Sequence, residues 1–262
     1  MQEATRKMFL CAGGGCQNDD GHGDLMDGYV VGYTRLTRKV ERPKVLLITA
    51  ARGDKEWDIR VGRETFERLG CEVDVLELLE NPIEINATDA ELLAMSDGDR
   101  DALVQRANRE KILSQDLIYV MGGNTRLLLY ALRDHGVDAM LFEAYKSGVV
   151  MFGMSAGSLF PTLGGTTDSW HLRALQPIKC LGWLRFTFNP HHDKGIRRQL
   201  YLDRVADGTL EPGCAGDDGV ILLYENGKLI EVVADRENAH AYIITREGGV
   251  VSEQKLDCRL LV

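Results

Sequence analysis

The apolar run Val149-Val150-Met151-Phe152 breaks directly into Gly153-Met154-Ser155-Ala156-Gly157. Four apolar residues in a row suit a strand buried on both faces, and Gly-x-Ser-x-Gly after such a strand is the sequence form of a nucleophile elbow. The flanking glycines carry no Cβ, so strand and following helix can pack closely around a sharp turn. The serine then stands exposed over a helix N-terminus. That placement points to a hydrolase that works through a covalent serine, on a strand-turn-helix scaffold.

Further apolar runs place strands at Met8–Ala12, Val45–Ala50, Glu72–Leu76, Leu117–Met121 and Val149–Gly153. Between them Ile59, Phe66 and Leu69, and then Leu103 and Ala107, recur at helical spacing; Thr125–Leu132 and Asp138–Lys146 also read as helices. Continuous apolar strands alternating with helices predict a parallel sheet covered on both faces, with its site beyond the carboxyl ends of the strands. After Arg185 the pattern changes. A helix is expected over Lys194–Asp207. Val220–Tyr224 and Leu229–Val233 flank Asn226-Gly227, and Ala241–Thr245 and Val250–Leu256 flank Gly248-Gly249. Both pairs read as hairpins adding antiparallel strands to an edge of the sheet. The segment Asn18–Arg42, polar and Gly-rich at its start, reads as a loop over the site or a surface excursion. The expected architecture is therefore a single α/β domain over 1–262, a three-layer sandwich with a mostly parallel central sheet.

A chain of 262 residues, 44% of them hydrophobic, supplies the core that one such domain needs. No apolar stretch reaches the roughly 18 residues of a membrane span, and the first residues lack the apolar core of a signal peptide, so the expected location is the cytoplasm. The net charge of −9 argues against nucleic acid as a partner. An anionic substrate would need a local basic pocket. Cys11, Cys16, Cys71, Cys180, Cys214 and Cys258 are scattered, with no Cys-x-x-Cys pair, so neither a zinc site nor a disulfide framework is expected. No metal or other cofactor is implied. Oligomeric state is not legible, and a homodimer stays open.

A serine hydroxyl needs an imidazole as base, and the imidazole needs an orienting carboxylate. Of the histidines, His191 and His192 follow Asn189-Pro190 after the apolar segment Leu184–Phe188. Neighbours in an extended chain point to opposite sides, so one of the two at most reaches Ser155. Asp218, in Asp217-Asp218-Gly219 before a strand, is the first choice for the carboxylate, with Asp217 and Asp168 as alternatives. Backbone N–H groups for an oxyanion hole are expected at Ala156 and at Gly123, in the turn Met121-Gly122-Gly123-Asn124-Thr125 between a strand and a helix. Ala12-Gly13-Gly14-Gly15 is not Gly-x-Gly-x-x-Gly and no Walker lysine follows, so it reads as a plain turn. A chain order of Ser155, Asp218 and the late His240 would also suit an α/β-hydrolase esterase, although the upstream His-Gly oxyanion motif is missing. A non-catalytic protein binding a small ligand in the same crevice is a further alternative.

Taken together, Gly122-Gly123-Asn124-Thr125 with Leu127-Leu128, Gly153-Met154-Ser155-Ala156-Gly157, Asn189-Pro190-His191 and Asp217-Asp218-Gly219 resemble, in order and spacing, the peptidase E family of serine peptidases (family S51). Glu41-Arg42-Pro43-Lys44-Val45 resembles it too, and the similarity runs over nearly the whole chain. The family includes aspartyl dipeptidases and, more distantly, cyanophycinases. The resemblance implies a class I glutamine-amidotransferase-like fold and a serine exopeptidase acting on short peptides with N-terminal aspartate, with hydrolysis of β-aspartyl-arginine as the alternative. It matches Ser155 to the nucleophile and His191 to the general base. Dipeptidase members carry a glutamate before a glycine where this chain has Asp218, one methylene shorter. The resemblance also implies an arginine, in the helix after the histidine, that holds the substrate's side-chain carboxylate. Arg197 is the better match and Arg198 the alternative, with Asn124 as a further substrate-binding residue.

Overall fold

In the computed structural model the buried apolar runs become strands within two residues of the expected bounds. The structure describes residues 4–14, 23–79, 87–171 and 174–262. The first half runs β1 (Lys7–Cys11), α1 (Gly23–Arg38), β2 (Lys44–Ile48), α2 (Glu56–Arg68), β3 (Glu72–Leu76), α3 (Asp89–Ala94), α4 (Asp97–Leu113), β4 (Leu117–Val120), α5 (Thr125–Asp134), α6 (Val137–Ser147) and β5 (Val150–Met154). The second half adds α7 (Ala156–Leu159), β6 (Gly164–Thr167), β7 (Gln176–Lys179), β8 (Thr187–Asn189), α8 (Gly195–Ala206), β9 (Gly213–Gly216), β10 (Val220–Glu225), β11 (Lys228–Ala234), β12 (Ala241–Glu247), β13 (Val250–Leu256) and β14 (Arg259–Leu260).

The main sheet has the order β14-β11-β10-β1-β5-β4-β2-β3. From β1 to β3 every neighbour is parallel. Alternate residues serve opposite faces, as the pleat requires. Met8, Leu10, Leu46, Ile48, Ile118 and Val120 pack with α5 and α6 through Leu128, Leu132, Leu141 and Tyr145. Phe9, Cys11, Val45, Leu47, Tyr119 and Phe152 pack on the other face with Met26, Val30 and Val31 of α1 and Phe66 of α2. Each such large side chain, fully buried, contributes about 1.5–3 kcal/mol of transfer free energy.

Two expectations are corrected here. The segment 18–42 is mostly α1, not a loop. Met26, Val30, Val31 and Thr34 are buried at helical spacing, a stripe overshadowed by the polar residues ahead of it. Residues 18–22, together with Gly15 and Cys16, lie outside the described residues. The two hairpins also part company. β10–β11 joins the main sheet, antiparallel to β1. β12–β13 instead completes a second, six-stranded sheet, β13-β12-β9-β8-β6-β7. Both turns carry positive φ, at Asn226 and Gly227 and at Gly248 and Gly249, the mark of primed hairpin turns. The turns are local and legible; which sheet a hairpin joins is a long-range choice. No helix among the described residues is long and apolar enough to cross a membrane.

Register gathers the loops. Cys11 lies opposite Met154, Gly153 opposite Val120, and Val120 opposite Ile48. The turns that follow β1, β5, β4 and β2 therefore emerge along one edge. At that edge β5 and α7 pack with no room for side chains. A Cβ on Gly153 would fall 1.8 Å from the Gly157 carbonyl oxygen, and one on Gly157 would fall 1.9 Å from that of Val120. Gly157→Ala should therefore lower stability by about 3 kcal/mol, typical of an overpacked site that cannot relax. Urea denaturation of the two proteins measures this, and an unchanged midpoint would contradict the packing described.

Candidate active site

Ser155 occupies the turn between β5 and α7 with φ 51° and ψ −107°. A positive φ costs a side-chain-bearing residue roughly 1–3 kcal/mol, so the surroundings must hold it. They do so from both sides. Ser155 N–H donates to the Cys11 carbonyl at 2.9 Å, and its own carbonyl accepts from Ser158 N–H, Leu159 N–H and the Ser158 hydroxyl. The side chain points into a cleft of about 1010 Å³ above the sheet edge, whose lining includes Gly123, Asn124, Asp168, His191 and Arg197.

Of the neighbouring histidines, His191 turns to Ser155 and His192 turns away. β8 ends at Asn189, and His191 follows with φ 56°, so the chain reverses sharply there. Ser155 Oγ lies 2.7 Å from His191 Nε2. His191 Nδ1 hydrogen-bonds Asp218 Oδ1. With Nδ1–H donating to a carboxylate, Nε2 is left as the acceptor for the serine hydroxyl. His192 is fully buried, taking a hydrogen bond from Asn189 Nδ2 at 2.9 Å and bonding Glu253 Oε1 through Nε2 at 2.7 Å. Burial lowers its pKa against the opposing pull of Glu253.

The three candidate carboxylates also separate. Asp218 faces His191, and Lys194 Nζ sits 3.0 Å from its second oxygen. Burial alone would raise the Asp218 pKa. The hydrogen bond and charge of His191, joined by Lys194, outweigh it and hold the group down at about 2. Asp217, on the opposite side of the strand entrance, accepts from His240 N–H at 2.9 Å. Its pKa is raised by burial. Asp168 accepts from Arg197 Nη2 at 2.6 Å. Neither touches His191. His240 bonds Lys255 at 2.8 Å and lines a separate cavity of about 230 Å³, so the Ser155, Asp218, His240 arrangement of an esterase is not assembled.

Gly122 and Gly123 lie in the turn after β4; a Cβ on Gly122 would lie 3.0 Å from Ser155 Cβ. Ala156 heads α7, where no intrahelical carbonyl is available to its N–H. Gly123 lines the same cleft as Ser155, and Ala156 follows Ser155 at the head of α7. Asn124 lines the cleft, but its side chain caps α5 by accepting from Leu127 N–H at 3.0 Å and donates to the Ser169 carbonyl at 3.0 Å. Arg197 faces the cleft from α8, whereas Arg198 is drawn to Glu253 at 2.6 Å.

Sequence reasoning passed over Gly13. A Cβ there would fall 1.9 Å from Asp218 Oδ1 and 2.7 Å from His191 Nδ1, so the turn read as plain makes room for the His–Asp contact. Its legible signal was the run of glycines after β1. Arg52, held by Asp58 at 2.5 Å, and Lys55 were also missed. With Arg197 they give the cleft three cations against the carboxylates of Asp58 and Asp168. In a protein of net charge −9 the lining thus carries one more cation than carboxylates, with both arginines ion-paired.

The profile of peptidase family S51 matches residues 9–232. The uncharacterized peptidase YgaJ of Bacillus subtilis (strain 168) is 30% identical over 256 residues, 97% of this chain and 99% of that protein. Peptidase E of Shewanella denitrificans is 30% identical over 138 residues, 49% of this chain and 58% of its own. Among solved structures, a peptidase from an acI-B1 Actinobacterium superposes with a TM-score of 0.68 at 19% identity, over 98% of this chain and 95% of that one. A putative peptidase E protein from Listeria monocytogenes EGD-e gives 0.57 at 18% identity, over 88% and 99%. At these identities the two structures share the fold.

Two measurements test the geometry. Gly13→Ala should push Asp218 from His191, abolishing the downfield imidazole Nδ1 proton resonance of a His–Asp hydrogen bond; its persistence would contradict the packing. The depressed Asp218 pKa makes a second point. Its stabilisation is fully present above the carboxylate's ordinary value and is lost as pH falls through about 2. Wild-type stability should therefore fall more steeply than that of Asp218→Asn between pH 4 and 2, as read by acid titration of circular dichroism.

Proposed function

This chain belongs to peptidase family S51 and is a serine peptidase, and from that premise we propose an exopeptidase that removes N-terminal aspartate from short peptides through Ser155, His191 and Asp218. The observation that carries this reading is the 2.7 Å contact between Ser155 Oγ and His191 Nε2 in a cleft lined by Arg52, Lys55 and Arg197. His191 takes the serine proton as Oγ attacks the scissile carbonyl. The Gly123 and Ala156 N–H groups receive the oxygen as it gains charge, where preorganised donors act most strongly. Asp218, ionised throughout the neutral range, stabilises the imidazolium that forms. His191 then protonates the leaving amine, and water entering in its place hydrolyses the acyl-enzyme.

Substrate preference follows from charge. An aspartyl side chain entering the cleft needs a guanidinium, which pairs with a carboxylate through two parallel hydrogen bonds. Arg197 is the cation we assign to it, with Arg198 committed to Glu253. We also place the enzyme's work in the cytoplasm: Cys11, Cys71, Cys180, Cys214 and Cys258 are free thiols, which suits a reducing compartment.

On a panel of Xaa-Leu dipeptides the wild-type protein should release leucine from Asp-Leu in preference to the rest. Ser155→Ala should lower kcat/KM by about 10⁴-fold or more, the scale of a lost nucleophile. His240→Ala should leave it within about twofold, as for a residue outside the reacting geometry. Undiminished turnover in Ser155→Ala would end the mechanism, and severe loss in His240→Ala would restore the esterase arrangement.

A further inference from the structure

Asp168 presents a puzzle that the proposed mechanism leaves unsolved. It places a negative charge in the cleft beside the arginine assigned to an acidic side chain. Its carboxylate meets Arg197 at 2.6 Å, with the two side chains 31% and 16% exposed. The position is built with care. Thr167 Oγ1 bonds the Ser169 hydroxyl at 2.7 Å, Asn124 Nδ2 donates to the Ser169 carbonyl at 3.0 Å, and Arg126 N–H reaches Ser169 Oγ at 3.4 Å. The residue after Asp168 is thereby fastened to the start of α5, next to the turn that carries Gly123. A carboxylate needed only to neutralise Arg197 would not require that anchoring.

An enzyme that cuts after the first residue must recognise a free α-ammonium, and a desolvated ammonium needs an anion. The acidic groups of the cleft have different commitments. Asp218 serves His191 and Lys194. Asp58 is 7% exposed and bound to Arg52. Asp168 is the more open one, and it accepts from Arg197 through Oδ2. We propose that Asp168 receives the α-ammonium of the substrate's first residue, while Arg197 receives the side-chain carboxylate. The inference rests on the aspartyl exopeptidase reading above. An N-terminal aspartate carries its ammonium on Cα and its carboxylate on the adjoining Cβ. The adjacent Asp168 and Arg197 form the complementary pair, so the charge on Asp168 opposes the substrate carboxylate less than it attracts the substrate as a whole.

The test compares aspartyl p-nitroanilide with succinyl p-nitroanilide, which is the same acyl group without its amine. Wild type should prefer the aspartyl compound in kcat/KM by about tenfold to 100-fold, the range of one charge-assisted hydrogen bond. Asp168→Asn and Asp168→Ala should erase the preference by lowering the aspartyl value, without lowering the succinyl value. A parallel loss on both substrates would mean that Asp168 only positions Arg197, and would overturn the proposal. So would a preference that survives both substitutions. A wild-type enzyme silent on both anilides overturns the aspartyl reading instead. The same contrast is then read on the aminoacyl anilide that the enzyme does cleave against its N-acetyl form, where a preference retained by Asp168→Asn overturns the assignment.

Discussion

The site depends on one close approach of backbone to backbone, where β5 ends and α7 begins. Gly153 and Gly157 let the strand, the helix and the Val120 carbonyl of β4 come within distances that no Cβ would permit. Of the three residues between them, Ser155 takes the positive φ. A serine there bears strain because its N–H is tied to Cys11 of β1 while its carbonyl is used three times by α7. The position of Oγ is thus set by the sheet as a whole, through β1 and β4 on either side of β5, and not by the side chain's own rotamer preferences.

His191 and Asp218 come from a different source. His191 leaves β8, in the second sheet, and Asp218 lies between β9, also in the second sheet, and β10, in the first. The chain crosses between sheets at Asp217-Asp218-Gly219. At that crossing the two aspartates take opposite sides, Asp217 bonding the His240 backbone and Asp218 the His191 ring. Asp217 N–H also donates to the His240 carbonyl. One aspartate thus holds the second sheet's β12 entry in place while the other faces the His191 ring. The neighbouring histidines divide in the same manner, His192 being buried against Glu253. Adjacent residues with opposite duties join the two sheets at the point where the site needs them joined.

The distinction between local and long-range determination also explains what could be read from sequence alone. The central strands are continuous apolar runs, and the elbow is five contiguous residues, so both were legible. His191 and Asp218 were legible as motifs, though only the fold separates them from His192 and Asp217. The assignment of β12–β13 to a second sheet was not legible, since a hairpin's turn signals are silent on its neighbours. α1 was hidden because composition at 18–24 outweighed the buried stripe Met26, Val30 and Val31. The pairing of Asp168 with Arg197 spans 29 residues and two elements. No spacing rule relates them.

Gly13 explains how an aspartate, and not the longer glutamate, meets the His191 ring. A carboxylate shorter by one methylene must bring its backbone closer to the imidazole. β10 runs antiparallel to β1, with Ala12 N–H on the Val220 carbonyl at 2.9 Å and Gly219 N–H on the Gly13 carbonyl at 2.7 Å. These bonds draw the 218–219 turn down onto the end of β1. The side chain that any other residue would place at position 13 would occupy the space now filled by Asp218 Oδ1, 1.9 Å from an ideal Cβ. The missing methylene and the missing Cβ are therefore two halves of one adjustment. The short carboxylate reaches His191 because the strand beside it ends in a residue with no side chain, and that glycine is confined to its place by the carboxylate it admits.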